Sequence, residues 1–442
     1  MEITVVKNSY REYWESDGVN FLSETPGFRK VLTRDRFLTL WTFLHIVDER
    51  DPELNKNDKI YKVRPFLSTL LEKFKHHYKP KQFLSLDEGM IPTKNRLAIK
   101  QYIKDKPIKF GIKSFILCEG DTGYILSSEI YTGREEQAVD GLGVVGNIVY
   151  RLLLAGECEN KKHILTMDRY YNSVDLFKYL LREQNTFAVG TAMTNRKHYP
   201  KTLIRKKMNK RGDYEFVCQG SLVAMVWMDR RPINFLSTCH DPTLFQHARR
   251  RNKDGTQENV VMPQLVKDYN SFMGGTDKND QMARLNKTRR HYRWPRRLFM
   301  KFVMWAVYNA YVLFQNVDPE KAKKYTLRNF LNEYCLALVG EYRTAAVQRP
   351  REIEGQELPL RLQNVGLHFP EIGVDDTGNH LCAVCSYKHQ KFRKENPAVP
   401  YKDCPVKAVK SNVKCGYCNR HLCIKKGSTC WKDWHTKSEY WR

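Results

Sequence analysis

An apolar run closed by an acid occurs twice in this chain, and this repetition constrains the fold more than any other feature. Phe83–Leu86 leads into Asp87 and Glu88, and the strand pattern breaks at Gly89 and Pro92. His163–Met167 leads into Asp168 in the same way. Short apolar runs of this kind predict buried strands, and a strand that ends in a carboxylate is a common way to hold a catalytic or metal-binding acid. A single copy would more often be an acid at a surface turn.

The elements around these two runs predict one mixed α/β unit. Their order is three strands, helix, strand, helix, strand, with Ser173 as the cap of the second helix. This is the order of an RNase H-like fold, in which the first and fourth strands lie side by side. Asp87 and Asp168 are therefore expected to be neighbours. Besides the first acid-bearing run, the predicted elements are strands at 109–119, 124–132, 164–167 and 186–191, and helices at 142–155 and 174–182.

A third acidic segment follows later, at Asp277 and Asp280, near the start of a predicted helix. The two acids are three residues apart, so they share one helix face. Carboxylates gathered at one end of a sheet would bind hard divalent cations, Mg²⁺ or Mn²⁺. Two such ions can activate a nucleophile and stabilise a leaving 3′-oxygen in phosphodiester cleavage. The alternative is that these acids only complement the helix dipole.

The remaining segments predict additions to this core. Helical periodicity appears at 28–47, where Thr33 is a candidate cap, and again at 63–77 and 298–314. Residues 191–262 are basic, loop-rich and then β-like. The predicted domains are a helical part at 1–80, an RNase H-like core at 81–190, a β-rich insertion at 191–262, more core at 263–286, a second helical part at 287–349, a linker at 350–378 and a cysteine-rich zinc domain at 379–442.

The charge of the chain predicts a polyanionic partner. It has 75 Lys and Arg against 49 Asp and Glu, a formal net charge of +26. Nucleic acid is the expected polyanion, although a charge run is often only a solvated face. The start of the sequence lacks the pattern of a signal peptide. The most apolar helix candidate is interrupted by Lys301 and Asn309, so we expect no membrane segment.

Seven of the twelve cysteines lie between Cys382 and Cys430, which predicts metal binding rather than disulfides. The order of the ligands suggests two interleaved zinc sites of RING or PHD type, which need eight ligands. His421 is our choice for the eighth, with Cys404, His380 and His389 as competitors. The predicted zinc ligands are thus Cys382, Cys385, Cys415, Cys418, His421, Cys423, Cys430 and His435.

Several longer motifs together resemble the piggyBac transposase family, and the likeness covers nearly the whole chain from about residue 10. The motifs occur in the family's order and are closest to its vertebrate-type members. The sequence starts near the helical domain, without the acidic leader of many members. We expect this difference to affect transposition activity in the cell and not the core chemistry. The motifs are Ser85-Leu86-Asp87-Glu88, Lys106-Pro107-Ile108-Lys109-Phe110-Gly111, Met167-Asp168-Arg169-Tyr170-Tyr171-Asn172-Ser173, Asn195-Arg196-Lys197 and Gly274-Gly275-Thr276-Asp277-Lys278-Asn279-Asp280.

The resemblance implies an RNase H-like catalytic core with Asp87, Asp168 and Asp277 as metal-binding catalytic acids and Asp280 as an accessory. It also implies that the helical parts at 1–80 and 287–349 form one split domain for dimerisation and DNA binding. It implies cut-and-paste transposition of double-stranded DNA at TTAA sites by a nuclear homodimer, with a zinc domain that binds transposon ends. No small-molecule substrate is expected. Two alternatives stay open, a domesticated DNA- or chromatin-binding protein and a RING-like ubiquitin ligase module. The expected DNA contacts are Arg196, Lys197, Arg249, Arg250, Arg290, Arg293 and Trp294, where Trp294 could equally be a core side chain.

Overall fold

The structure is a computed structural model in which the chain divides into two compact units, Met1–Thr344 and Ala345–Arg442. The residues that it describes are 10–14, 28, 31–104, 106, 108–133, 139–204, 208–251, 255–284, 293–340, 359–363, 365–372 and 380–441.

The larger unit alternates strands and helices as far as residue 284 and continues in helices from residue 294. Its helices are α1 Arg34–Phe43, α2 Arg64–His77, α3 Gly143–Ala155, α4 Val174–Glu183, α5 Lys201–Ile204, α6 Gln264–Phe272, α7 Gly275–Arg284, α8 Trp294–Val317, α9 Pro319–Lys323 and α10 Leu327–Val339. Its strands are β1 Phe83–Pro92, β2 Lys100–Tyr102, β3 Phe110–Glu119, β4 Ile125–Ile130, β5 Ile164–Met167, β6 Phe187–Thr191, β7 Tyr214–Gln219, β8 Leu222–Met228, β9 Pro232–Ser237, β10 Phe245–Arg251 and β11 Gln257–Pro263.

Nine of these strands form one mixed sheet. Its order is β2-β3-β1-β5-β6-β9-β8-β7, with β4 also paired to β3. β1, β5 and β6 are mutually parallel, and the remaining pairs are antiparallel. The expectation that the first acid-bearing strand lies beside the second is therefore confirmed. β10 and β11 form a separate two-stranded ribbon.

The first acid-bearing strand is longer than its sequence predicts. We expected the strand pattern to break at Gly89 and Pro92 and the acids to close the strand. Instead β1 runs to Pro92, and Asp87 lies at its middle, opposite Ile116 of β3. The long antiparallel pairing with β3 carries β1 through both residues, and Pro92 is tolerated because it is the last strand position. Only the pairing with β5 ends near the acids, at Leu86 opposite Met167.

The longest helix, α8, packs into the main core. By length and composition it could cross a membrane, which differs from our expectation that no run reaches that length. In the structure Leu298, Phe302 and Trp305 are fully buried in the core that also covers the sheet. The Asn309 side chain bonds both the amide and the carbonyl of Ile125, each at 2.9 Å. These contacts make α8 a core helix of the larger unit.

Two other sequence expectations differ from the structure in extent. The described helix within 28–47 is only α1, which begins at the predicted cap: Thr33 accepts a hydrogen bond from the amide of Arg36. The predicted insertion at 191–262 does not form a sheet of its own throughout, because β9 pairs with β6 and brings β7 and β8 into the main sheet. The domain boundaries themselves stay predictions.

The smaller unit is built from short elements and little apolar core. Its elements are helices α11 Ala383–Glu395 and α12 Cys430–Thr436 and strands β12 Pro370–Ile372, β13 His380–Leu381, β14 Lys410–Ser411, β15 Val413–Cys415 and β16 Arg420–His421. The prediction of a linker at 350–378 was wrong for its later part, because β12 pairs with β15 and so belongs to this unit. Amino-acid composition does not reveal this backbone pairing, which shows that β12 belongs to the smaller unit.

Candidate active site and metal centres

Asp87 and Asp168 lie side by side where the parallel pairing of β1 and β5 ends. The last paired residues are Leu86 and Met167, so the two acids occupy the next position on each strand. Tyr269 of α6 lies close to both acids. Burial, together with the charges of Asp168 and Asp87, raises the pKa of Tyr269 to about 12. The hydroxyl of Thr191 donates to Asp168 Oδ1 at 3.2 Å and holds that carboxylate in place.

Helix α7 lies across β1 and brings the third acidic segment to the same face. Ser85 Oγ donates to the carbonyl of Met273 at 2.8 Å. Any side chain at Gly275 would meet the carbonyl of Glu119 at 2.8 Å, so only glycine permits this close approach. Further along, Asp280 Oδ2 lies 3.8 Å from the position that a Cβ of Gly89 would occupy. Asp87 lies on the strand between these two contacts.

The two acids of α7 have different surroundings. Asp277 is exposed. Asp280 is largely buried and forms an ion pair with Lys301 of α8, with 2.9 Å between Nζ and Oδ1. Lys301 therefore neutralises Asp280, whereas the carboxylate of Asp277 remains accessible. The prediction that Asp277 is a ligand and Asp280 an accessory is compatible with this difference.

The adjacent carboxyls of Asp87 and Glu88 have opposite pKa shifts. Burial, followed by the charge of Glu88, raises the pKa of Asp87 to about 7. Burial acts in the same direction on Glu88, but the charges of Lys113 and Lys106 outweigh it and lower that pKa. Asp87 is thus the weaker acid of the two carboxyl groups. A bound cation at this position would favour its ionised form.

Glu88 is a site residue whose role the sequence did not reveal. Tyr171 Oη donates to Glu88 Oε2 at 2.9 Å, and Lys106 Nζ lies 3.3 Å from Oε1. Lys106 also reaches the carbonyl of Glu88 at 3.4 Å, where β1 has no β5 partner. Tyr171 and Lys106 both lie in motifs that the sequence analysis identified. Only the fold shows that their side chains contact Glu88.

Asn172 braces the strand ends beside Asp168. Its side-chain nitrogen donates to the carbonyls of Met167 at 3.0 Å and Thr191 at 2.7 Å. A Cβ at Gly190 would lie 2.1 Å from that nitrogen, so the brace requires glycine on β6. The arrangement fixes the end of β5 and hence the backbone that carries Asp168.

The acidic face suits a hard cation by donor chemistry, but its acids are not gathered around one point. Carboxylate oxygens are the ligands that Mg²⁺ and Mn²⁺ prefer. Among the described residues, the sets of at least three ligand atoms lying within 4.8 Å of one another do not include these acids. Asp87 and Asp168 are adjacent, while the carboxylate of Asp280 is paired with the ammonium group of Lys301.

The residues predicted to contact DNA lie in different parts of the larger unit. Arg196 donates to the carbonyl of Tyr170 at 2.5 Å, in the loop after Asp168. Arg249 is exposed on β10, and its neighbour Arg250 lies over the ring of Trp227, 6.0 Å from the centroid. Trp294 is partly buried against the main core. Lys197 and Arg293 are exposed, and Arg290 lies outside the described residues.

Two clusters in the smaller unit have the geometry of zinc sites. The ligand atoms of each lie within 4.8 Å of one another. In sequence order the ligands alternate between the clusters, singly at His368 and His435 and in pairs between them, so the interleaved arrangement is as predicted. Four buried or partly buried sulfur or nitrogen donors per site match tetrahedral zinc. One cluster is Cys382, Cys385, Cys423 and Cys430, and the other is His368, Cys415, Cys418 and His435.

The eighth position in these clusters is filled by His368 and not by His421, the predicted ligand. His368 lies in the segment that we took for a linker, where a lone histidine gave no spacing signal. The ring of His421 instead stacks on that of His380, with 4.2 Å between centroids. Cys404 lies with His389, at 3.4 Å, away from both clusters.

Both histidines of the second cluster are oriented as zinc ligands usually are. His368 Nδ1 lies 3.3 Å from Cys415 Sγ, while its Nε2 bonds the carbonyl of Gln363 at 2.7 Å. His435 Nε2 lies 3.4 Å from Cys418 Sγ, while its Nδ1 bonds the carbonyl of Trp431 at 2.8 Å. A backbone partner on the second ring nitrogen fixes the tautomer that leaves the first free to bind metal. The residues therefore fit zinc.

Comparison with known proteins identifies the family. The family model described as Transposase IS4 matches residues 2–311, more than two thirds of the 442 residues. The chain belongs to this transposase family. A solved structure, a piggyBac transposase synaptic complex with hairpin DNA, matches with a TM-score of 0.66 over 94% of this chain and 82% of that chain. At 23% sequence identity, this match shows a shared fold.

The chain is also similar to curated proteins derived from piggyBac transposable elements, as the motifs indicated. Human PiggyBac transposable element-derived protein 3 is 29% identical over 284 residues, which cover 61% of this chain and 46% of that protein. Human PiggyBac transposable element-derived protein 2 is also 29% identical, over 57% of this chain and 43% of its own length. The chain spans less than half the length of these two relatives.

Proposed function

We propose that this transposase cleaves and rejoins DNA at transposon ends, with insertion at TTAA sites, in a reaction that depends on divalent metal. The observation that carries the proposal is the register of Asp87 and Asp168 on adjacent parallel strands, with the acids of α7 across the same face. Acids that distant segments carry to one face of a sheet suit metal-dependent chemistry on a phosphodiester. We infer an RNase H-like core from the same strand arrangement.

The roles of the acids follow from their surroundings. Asp87, Asp168 and the accessible Asp277 would hold the metal, and Asp280, paired with Lys301, would support α7. When bound, Mg²⁺ or Mn²⁺ would activate the attacking oxygen and stabilise charge on the leaving 3′-oxygen. Closing the site would require the carboxylate of Asp277 to move toward the strand acids.

Lys and Arg side chains outside the acidic face would bind the DNA backbone. The excess of Lys and Arg supplies phosphate contacts, which give affinity more than sequence recognition. Arg196, Lys197, Arg249, Arg250 and Arg293 are proposed contacts. The zinc module would bind the transposon end. We further propose a homodimer that acts in the nucleus, where its DNA substrate lies.

The decisive experiment measures strand nicking. The substrate is a duplex that joins TTAA to the inverted repeats flanking the gene, incubated with Mg²⁺ or Mn²⁺. Wild type should nick at the junction. Asp168→Asn should abolish nicking and leave DNA binding nearly intact, because it removes a metal ligand but no phosphate contact. Asp241→Asn, at an exposed acid far along the chain, is the matched control and should nick normally. Cleavage by Asp168→Asn would contradict the assignment.

A second candidate is a domesticated DNA-binding protein that keeps the fold. The observation that favours it is the dispersed geometry of the acids, of which Asp280 is already paired. The names of the human relatives, transposable element-derived proteins, are compatible with either function. Specific binding of the same duplex by wild type without nicking in either metal would favour this candidate.

A further inference from the structure

A small cavity lies where the segment after α1 meets the start of α8. Its volume is about 150 Å³, and its apolar wall includes Val47, Val63 and Phe299. Sites for drug-sized ligands start near roughly 300 Å³. An engineered apolar cavity of about 150 Å³ accepts benzene. The space therefore suits a single ring and is too small for a larger organic ligand.

The rim of this cavity is cationic. His45, Arg293 and Arg296 border it, and Lys62 is already paired with Glu49. Arg296 lies over the ring of Trp41, 5.1 Å from the centroid, and donates to the carbonyl of Thr42 at 3.1 Å.

The two arginines lack a compensating acid. Within the described part of the chain, no carboxylate forms an ion pair with Arg293 or Arg296. Burial and the charge of Arg293 lower the pKa of Arg296, which shows that the two guanidinium groups oppose each other. They stand at the first turn of a 24-residue helix, whose free amides also favour an anion. A ring-sized apolar space beside an uncompensated positive rim suits a group with one ring and a phosphate.

We propose that this cavity is a subsite for one unpaired pyrimidine nucleotide of a DNA strand. The base enters the apolar space, and its phosphate contacts Arg293, Arg296 and the first amides of α8. A two-ring purine exceeds the space. The inference rests on the proposed function only in taking DNA as the polyanion, because it requires no cleavage.

The test compares two fluorescently labelled single strands of equal length and charge, oligothymidylate and an abasic oligomer. Fluorescence anisotropy gives the dissociation constant of each with the full chain. Stacking and burial of one base predict that wild type binds oligothymidylate about fivefold or more tightly than the abasic strand. Val47→Phe fills the cavity and should bring the affinity for oligothymidylate down to that for the abasic strand, with the abasic affinity unchanged.

Controls separate the cavity from general charge and folding. Val144→Phe makes the same change at an exposed position on α3 and should keep the preference for thymidylate. Arg293→Gln should weaken both strands alike, because it removes a phosphate contact. If Val47→Phe fails to fold, Leu44→Trp at the exposed edge of the cavity replaces it.

The outcomes distinguish this proposal from the transposase proposal. Equal affinity of wild type for the two strands would overturn the subsite, and so would a thymidylate preference that survives Val47→Phe. A chain that never nicks DNA but loses its preference on Val47→Phe supports the subsite and contradicts only the proposed catalysis.

Discussion

Replacing Asp87 by asparagine should make the metal-free protein more stable, and the gain should grow with pH. The folded state raises the pKa of Asp87 from an ordinary 3.8 to about 7, chiefly through burial and then through the charge of Glu88. Between these values the folded chain retains a proton that the unfolded chain has released. The free energy of unfolding of wild type therefore falls as pH rises through this window, and the cost is complete above about pH 7.

The size of the effect follows from this shift. Each pH unit inside the window costs about 1.4 kcal/mol. Between pH 5 and pH 7 the wild type should thus lose about 2 kcal/mol that Asp87→Asn does not lose, because the slope falls to half as the pH reaches the folded-state pKa. The burial cost of the neutral amide is the same at both pH values and cancels in this comparison.

The assay is urea unfolding of the full chain in magnesium-free buffer at pH 5, 6, 7 and 8. Comparing variants at each pH also cancels the pH dependence of the zinc module, which they share. Asp241→Asn is the control, because that acid is exposed and hydrogen bonds from Thr243 lower its pKa, so its titration lies below the measured range. A stability difference that stays constant from pH 5 to pH 8, or an Asp87→Asn protein less stable than wild type at pH 8, would refute the reasoning.

Three further results are expected. Zinc measured by mass spectrometry should be near two ions per chain, fall in His368→Ala and stay unchanged in His421→Ala; chelation should unfold the smaller unit alone, and a fold that survives chelation would exclude structural zinc. Asn309→Leu should lower the free energy of unfolding by about 3 kcal/mol in urea, because two buried backbone groups of β4 lose their partner. Lys301→Met should cost about 2 kcal/mol by leaving Asp280 unpaired, and adding Asp280→Asn should restore most of it; no recovery would show that the ion pair is not the cause.

The parts of the site that depend on parallel strand order could be predicted from sequence. The apolar runs before Asp87 and Asp168 predict their strands, and the order of elements places them side by side. The extent of β1 could not be predicted, because Gly89 and Pro92 favour a break and only the long pairing with β3 overrides them. β8 is buried almost throughout and gave a clear signal, whereas the exposed β10 did not.

The metal clusters show a similar division. Local spacing identifies seven of the eight cluster residues: the two pairs of cysteines separated by two residues, together with Cys423, Cys430 and His435. His368 lies 47 residues before Cys415, and nothing local links them. Only the pairing of β12 with β15 brings that histidine to the cluster.

The pairing of β9 with β6 has a consequence for aggregation. Val189, Gly190 and Thr191 of β6 bond with Ser237, Leu236 and Phe235 of β9. Removing residues 192–262 would leave this row of backbone donors and acceptors on β6 unpaired, at a new edge of the main sheet. Open borders of this kind recruit strands from other molecules. A shortened chain of that design is therefore expected to form aggregates, even though each remaining element keeps its own sequence.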